Sequence, residues 1–73
     1  MTVEKTFGEK RVRTSFNPSE QSTVQHIKER AAEFINYVND NVAAGDGEVG
    51  RLKALALTSI EEAAMWAVKA ATA

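Results

Sequence analysis

Between residues 24 and 38 apolar residues recur as Val24, Ile27, Ala31, Phe34, Ile35 and Val38. Steps of three and four place them on one face of an amphipathic helix. A start for that helix is written at Asn17, which can cap, with Pro18 at the first helical position and Glu20 at capping-box spacing. The pattern predicts a helix from 17 to about 42. Residues 43 to 50, AAGDGEVG, hold three glycines and two acids, a composition that reverses the chain. A second helix follows over roughly 51 to 72, rich in Ala and Leu and free of Gly and Pro. Ahead of both, Thr2, Val3, Thr6, Phe7, Val12, Thr14 and Phe16 suit an extended arm with a turn at Gly8. The fold class expected is all-α: an antiparallel two-helix hairpin (17–73) with an extended N-terminal arm (1–16), together one domain.

The second helix carries two apolar stripes. Leu52, Leu55, Ser59, Ala63, Trp66 and Ala70 form one line, and Leu57, Ile60, Ala64, Val68 and Ala71 form another, leaving Thr58, Glu61, Glu62, Lys69 and Thr72 as a narrow polar strip. A helix apolar around most of its circumference has to be covered around most of it, which one partner helix cannot do. The chain has 73 residues and no cysteine, so no disulfide or thiolate metal site supports it. A domain this small buries only about 60% of its unfolded surface. A homo-oligomer is expected, with Ala63, Ala64, Ala67, Ala70 and Ala71 letting helices approach closely at subunit contacts.

Charge narrows the function. Nine Lys and Arg against ten Asp and Glu leave a net charge of -1, unlike a protein that coats DNA, RNA or an anionic membrane. The distribution is uneven. Residues 1 to 30 hold Lys5, Lys10, Arg11, Arg13, Lys28 and Arg30 against Glu4, Glu9, Glu20 and Glu29, whereas 33 to 48 hold four acids and no base. No apolar run approaches the roughly 20 residues of a bilayer span, and MTVEKTFGEK lacks a signal-peptide centre. A soluble, cytoplasmic protein is expected. Enzymatic chemistry is not: His26 is the single histidine, and no phosphate loop, HExxH pair or nucleophile elbow is present, nor any metal or cofactor motif. His26 reads as a surface residue. Glu61 and Glu62, about 100° apart on a helix, do not converge and read as a solvated or inter-subunit salt-bridging face.

The stretch RVRTSFNPSEQS, residues 11 to 22, is different. A helix start at 17 to 19 presents unpaired N–H groups to an anion, and Arg11 and Arg13 lie just before it. Phe16 offers a flat face for a nucleobase, and Lys28, as a surface lysine contributing little to stability, can add a charge from across a two-fold contact. Each has an alternative: Phe16 can fold back to seal the helix start, and the arginines can be a solvated pair. Spacing gives a helical oligomer with a candidate anion pocket at the helix starts and does not name the ligand.

GEKRVRTSFNPS, the Ile27-Lys28 pair in VQHIKERAAEFI, and RLKALALTSIEEAAMWAVKAATA resemble a phage and prophage family, the nucleotide-sponge hairpin domain, over residues 8 to 73. The resemblance implies helical homo-oligomers, often hexamers, that work in the host bacterial cytoplasm. They bind cyclic di- and trinucleotides without cleaving them and so blunt the CBASS and Thoeris defences. It further implies ligand contacts at Lys28, which matches the family's lysine, and at Arg51, Thr58 and Lys69. The family's stacking aromatic falls by spacing on Arg13, with Phe16 three residues later, so either can stack. Leu57 stands where many sponges have an arginine, which bears on a second, trinucleotide pocket. The other class that remains is a structural or protein-binding hairpin oligomer with no nucleotide ligand.

Overall fold

A computed structural model of the protein describes residues 4–15 and 21–73. Among these residues there are three helices and no strand: α1 (Phe7–Val12), α2 (Ser22–Asn41) and α3 (Gly47–Ala71). The helical hairpin is thus present as α2 and α3. The expected cap at Asn17 and first turn at Pro18 lie outside the described residues. The described part of α2 opens at Ser22, after Gln21 in an extended conformation that makes no side-chain cap.

Residues 7–12 differ from the extended segment expected there. The reason is a capping box: the Thr6 hydroxyl accepts from the Glu9 N–H at 3.2 Å, and the Glu9 carboxylate accepts from the Thr6 N–H at 2.8 Å. The Thr6 backbone N–H first, and the Thr6 hydroxyl second, hold the Glu9 carboxyl below the usual carboxylate range. The depressed value means that the bonds support α1 above the ordinary glutamate pKa and are lost as pH falls through the folded one. So short a helix is marginal by itself and forms because it docks. Asn36 of α2 provides the clamp, accepting from the Gly8 N–H at 2.7 Å and donating to the Thr6 hydroxyl at 2.9 Å. Gly8 is buried there, and a methyl on it would run into the Ala32 carbonyl oxygen and the Asn36 side chain. Glycine is what lets the two helix backbones approach.

The other end of α1 is fixed by a lysine. Arg13 takes the left-handed conformation (φ 56°, ψ 57°), an uncommon choice for a residue with a Cβ, and its N–H returns to the Glu9 carbonyl. Its own carbonyl accepts from the Lys28 ammonium at 3.1 Å. Lys28 is only 7% exposed, which corrects the expectation of a surface lysine. Thr14, next after Arg13 in sequence, is buried and accepts from the Lys5 ammonium at 3.2 Å.

α2 and α3 are joined through residues 42–46, with Gly45 at φ 57°, where a side chain would be strained. α3 begins four residues before the sequence pattern places it. Gly47 and Gly50 cost a helix about 1 kcal/mol each and so read as turn. In the fold Gly50 N–H closes onto Asp46 carbonyl at 2.9 Å, and Glu48 in the first turn pairs with Arg51 at 2.6 Å. Further along, the Lys53 ammonium ties α3 to the Asn39 carbonyl of α2 at 3.1 Å.

The core gathers Val12 of α1, Ala32 and Ile35 of α2, and Leu57 and Ala64 of α3, with Ile27, Ala31, Val38 and Ile60 packed around them. Ile35 has no solvent exposure and contributes about 1.5–3 kcal/mol by burial. Of the two apolar stripes of α3, the one containing Leu57, Ile60, Ala64, Val68 and Ala71 is buried at Leu57 and Ala64 and half-buried at the other three. Leu52, Leu55, Ser59, Ala63, Trp66 and Ala70 are all exposed. Ala64 therefore belongs to the chain's own core. Phe34, expected on the inner face of α2, is exposed as well. The Cα envelope measures 41 × 35 × 13 Å, so the helices lie in one layer, whereas a core is ordinarily closed between two.

Gly8→Ala should destabilise the chain by about 1–3 kcal/mol, the scale of overpacking, read as a lower urea midpoint. An unchanged midpoint would mean that α1 does not depend on this approach. Lys28→Ala should cost about 1–2 kcal/mol through lost stem packing and the lost bond to Arg13, and Lys28→Met, which keeps an apolar stem, should cost less than about 1. Equal losses in the two variants would assign the whole effect to the ammonium.

Candidate functional site

Docking α1 against the hairpin leaves a groove of about 650 Å³ between its C-terminal end and one face of α3. That size is ordinary for a small-molecule site. α1 and the residue after it supply Arg11, Val12 and Arg13, and α2 supplies Lys28. α3 supplies Thr58, Glu61, Glu62, Ala64, Met65, Val68 and Lys69, recurring at helical steps along one face. The apolar members make a floor and the charged ones a rim.

Five of the seven residues that the sequence singled out, Arg11, Arg13, Lys28, Thr58 and Lys69, meet at this groove. They come from three helices and span more than half of the chain. Arg51 does not join them: it sits at the start of α3 in its ion pair with Glu48. Phe16 lies outside the described residues, as does the helix start at 17 to 19 expected to hold an anion. Leu57, which the resemblance sets at the position of the family's arginine, is buried in the core and does not line the groove.

The charged groups are held in definite places. The Arg11 Nε–H donates to Glu61 Oε2 at 3.0 Å, its terminal nitrogen lies 2.8 Å from the same oxygen, and its guanidinium stands 5.5 Å over the Phe7 ring. The Glu61 carboxylate, expected to be solvated or to bridge subunits, is thus paired within the chain. Lys69 sits 5.1 Å over the Trp66 ring. At Lys28, burial first and the nearby Arg13 guanidinium second push the ammonium pKa below the ordinary lysine value. A base whose folded pKa is depressed carries the full cost of its buried charge below that pKa, and the cost is relieved as pH rises toward the unfolded value. At neutral pH Lys28 is therefore a cation under strain from its surroundings, and a phosphate beside it would remove that strain. Counting the rim, four cations face two carboxylates, an excess of two.

Sequence reasoning missed Glu61, Glu62, Met65 and Val68 as groove residues. The signal was available, because Thr58, Glu61, Glu62, Met65 and Lys69 share one helical face. No described helix is long and apolar enough to cross a membrane.

Nothing among curated proteins or solved structures matches the chain. One family model does match, described as the Acb2/Tad1 hairpin domain, over residues 9–72. That range runs from inside α1 through both long helices and takes in every residue of the groove. The chain therefore belongs to the Acb2/Tad1 hairpin-domain family, the family of anti-CBASS and anti-Thoeris sponges.

Proposed function

We propose that this protein is a phage or prophage anti-defence sponge that binds cyclic di- and trinucleotide second messengers and holds them uncleaved, blocking CBASS- and Thoeris-type signalling. The observation that carries this reading is the meeting of Arg11, Arg13, Lys28 and Lys69 on one apolar-floored groove in a chain of that family. A cyclic dinucleotide carries two phosphodiester charges, which the excess of two cations matches. Arginine adds a plane on which a base can stack. Sequestration needs only affinity, and the groove offers cations and a hydroxyl for that purpose. Thr58 serves as a hydrogen-bond partner, and Phe16, next to the groove in sequence, as a further stacking surface.

The working unit is a homo-oligomer, with a hexamer the state that the family resemblance implies. Supporting this are the exposed side chains Phe34, Tyr37, Leu52, Leu55 and Trp66, each more than half exposed in the single chain. A second copy covering these side chains would turn one layer into two. The protein acts in the host bacterial cytoplasm, where its ligands are made.

A panel of cyclic di- and trinucleotides should include at least one that raises the melting temperature by about 10 °C at a hundredfold excess over Kd. Heat denaturation should then release that ligand chemically intact. A flat melting response across the panel would leave the structural or protein-binding hairpin, and an altered nucleotide would mean an enzyme. For the ligand that binds, calorimetry should show Arg13→Ala and Lys69→Ala each weakening affinity by about 1.5–3 kcal/mol, the range of bonds to charged groups. Parental affinity in both would place the ligand elsewhere. Light scattering should give a mass well above the 8.0 kDa chain. Leu55→Lys should bring it toward that value with helicity retained, because Leu55 is exposed in the single chain; an unchanged mass would put the interface on another face.

A further inference from the structure

Two carboxylates stand on a groove whose other charges are positive. A carboxylate beside an anionic ligand repels it, so the chemistry of each depends on what else it can meet. Glu61 is engaged, with one oxygen taken by the Arg11 guanidinium. Glu62 is exposed and forms no ion pair among the described residues. Its Oε1 accepts from the Trp66 indole N–H at 3.3 Å, a long bond on the solvent side.

Resting on the sponge reading above, we propose that Glu62 reads the base of the bound nucleotide and makes the groove prefer guanine. An ionised carboxylate only accepts hydrogen bonds, through two oxygens side by side. Guanine presents two adjacent donors, N1–H and the N2 amino group, at the spacing those oxygens require. Adenine presents its N6 amino group beside the N1 lone pair, and the lone pair faces the carboxylate. Cytosine has the same mismatch, and uracil flanks its single N3–H with two carbonyl oxygens. Guanine alone among the four therefore offsets the repulsion that Glu62 otherwise imposes. A wrong base leaves the carboxylate against the ligand without a partner.

Position supports the division of labour. Glu62 lies four residues after Thr58 and seven before Lys69 on α3, distances of about 6 Å and 10 Å along a helix. The basic groups, Lys69 at one end and Arg13 with Lys28 at the other side of the groove, take the phosphates. Glu62, between Thr58 and Lys69 on the same face, is left for a base edge.

Calorimetric titration of the full chain with cyclic di-guanylate and cyclic di-adenylate tests this, alongside Glu62→Gln, which alters an exposed side chain and leaves the core intact. The parent should prefer the guanylate by about tenfold or more, the discrimination of one bidentate pair. Glu62→Gln should weaken the guanylate by a similar factor while the adenylate holds or tightens, because a carboxamide matches the donor–acceptor edge of adenine. Equal binding of the two ligands by the parent overturns the base reading and leaves the sponge reading standing. So does an equal shift of both ligands in the variant, which would make Glu62 a source of charge alone. Silence of the parent toward both ligands, and toward cyclic tri-adenylate as well, overturns the sponge reading and this proposal with it.

Discussion

The bond from the Lys28 ammonium to the Arg13 carbonyl holds the described site together. It fixes the end of α1 in a left-handed turn and sets the Arg13 side chain at the lip of the groove. It also places a buried cation where an anionic ligand would arrive. Burying that cation opposes its charge and pushes its pKa below the ordinary lysine value. A hydrophobic residue of the same length would pack there with less penalty. The chain thus keeps on the groove a charge that its burial opposes, the pattern expected of a binding residue more than of a structural one.

The remaining architecture follows from how α1 is delivered to that point. Asn36 clamps its first turn and Gly8 allows the backbone contact. Val12 then enters the same core as Ile35, Leu57 and Ala64. The cost of this economy is a one-layer molecule whose second α3 stripe stays exposed among the described residues. The groove is lined by the polar strip of α3, and Trp66 of the exposed stripe borders it through Glu62 and Lys69.

How much of this was legible in the sequence depended on how local the signal was. The two long helices and the reversal between them were legible because apolar periodicity and a glycine cluster are local patterns. The start of α3 was displaced because Gly47 and Gly50 weaken helix propensity, and the fold overrides it through the Asp46 carbonyl and the Glu48–Arg51 pair. α1 was missed although Thr6 and Glu9 spell a capping box, since Gly8 inside it suggested a turn; only the contact with Ala32 explains that glycine. For the site, Arg11, Arg13, Lys28, Thr58 and Lys69 could be named, but not the fact that they meet, which depends on how α1 packs. The burial of Lys28 was equally invisible, because its carbonyl partner is 15 residues away. Glu61 and Glu62 were judged against each other, when the partner that matters for Glu61 is Arg11, fifty residues earlier.

The most direct measurement is the titration of the Lys28 ammonium by nitrogen-resolved NMR, free and saturated with a cyclic dinucleotide that binds. In the free protein the account predicts a pKa below the ordinary lysine value, and on saturation an upward move as a phosphate takes the place of unfavourable surroundings. A Lys28 resonance that titrates identically with and without bound ligand would contradict it, because the anion would then be held somewhere other than the groove this lysine builds.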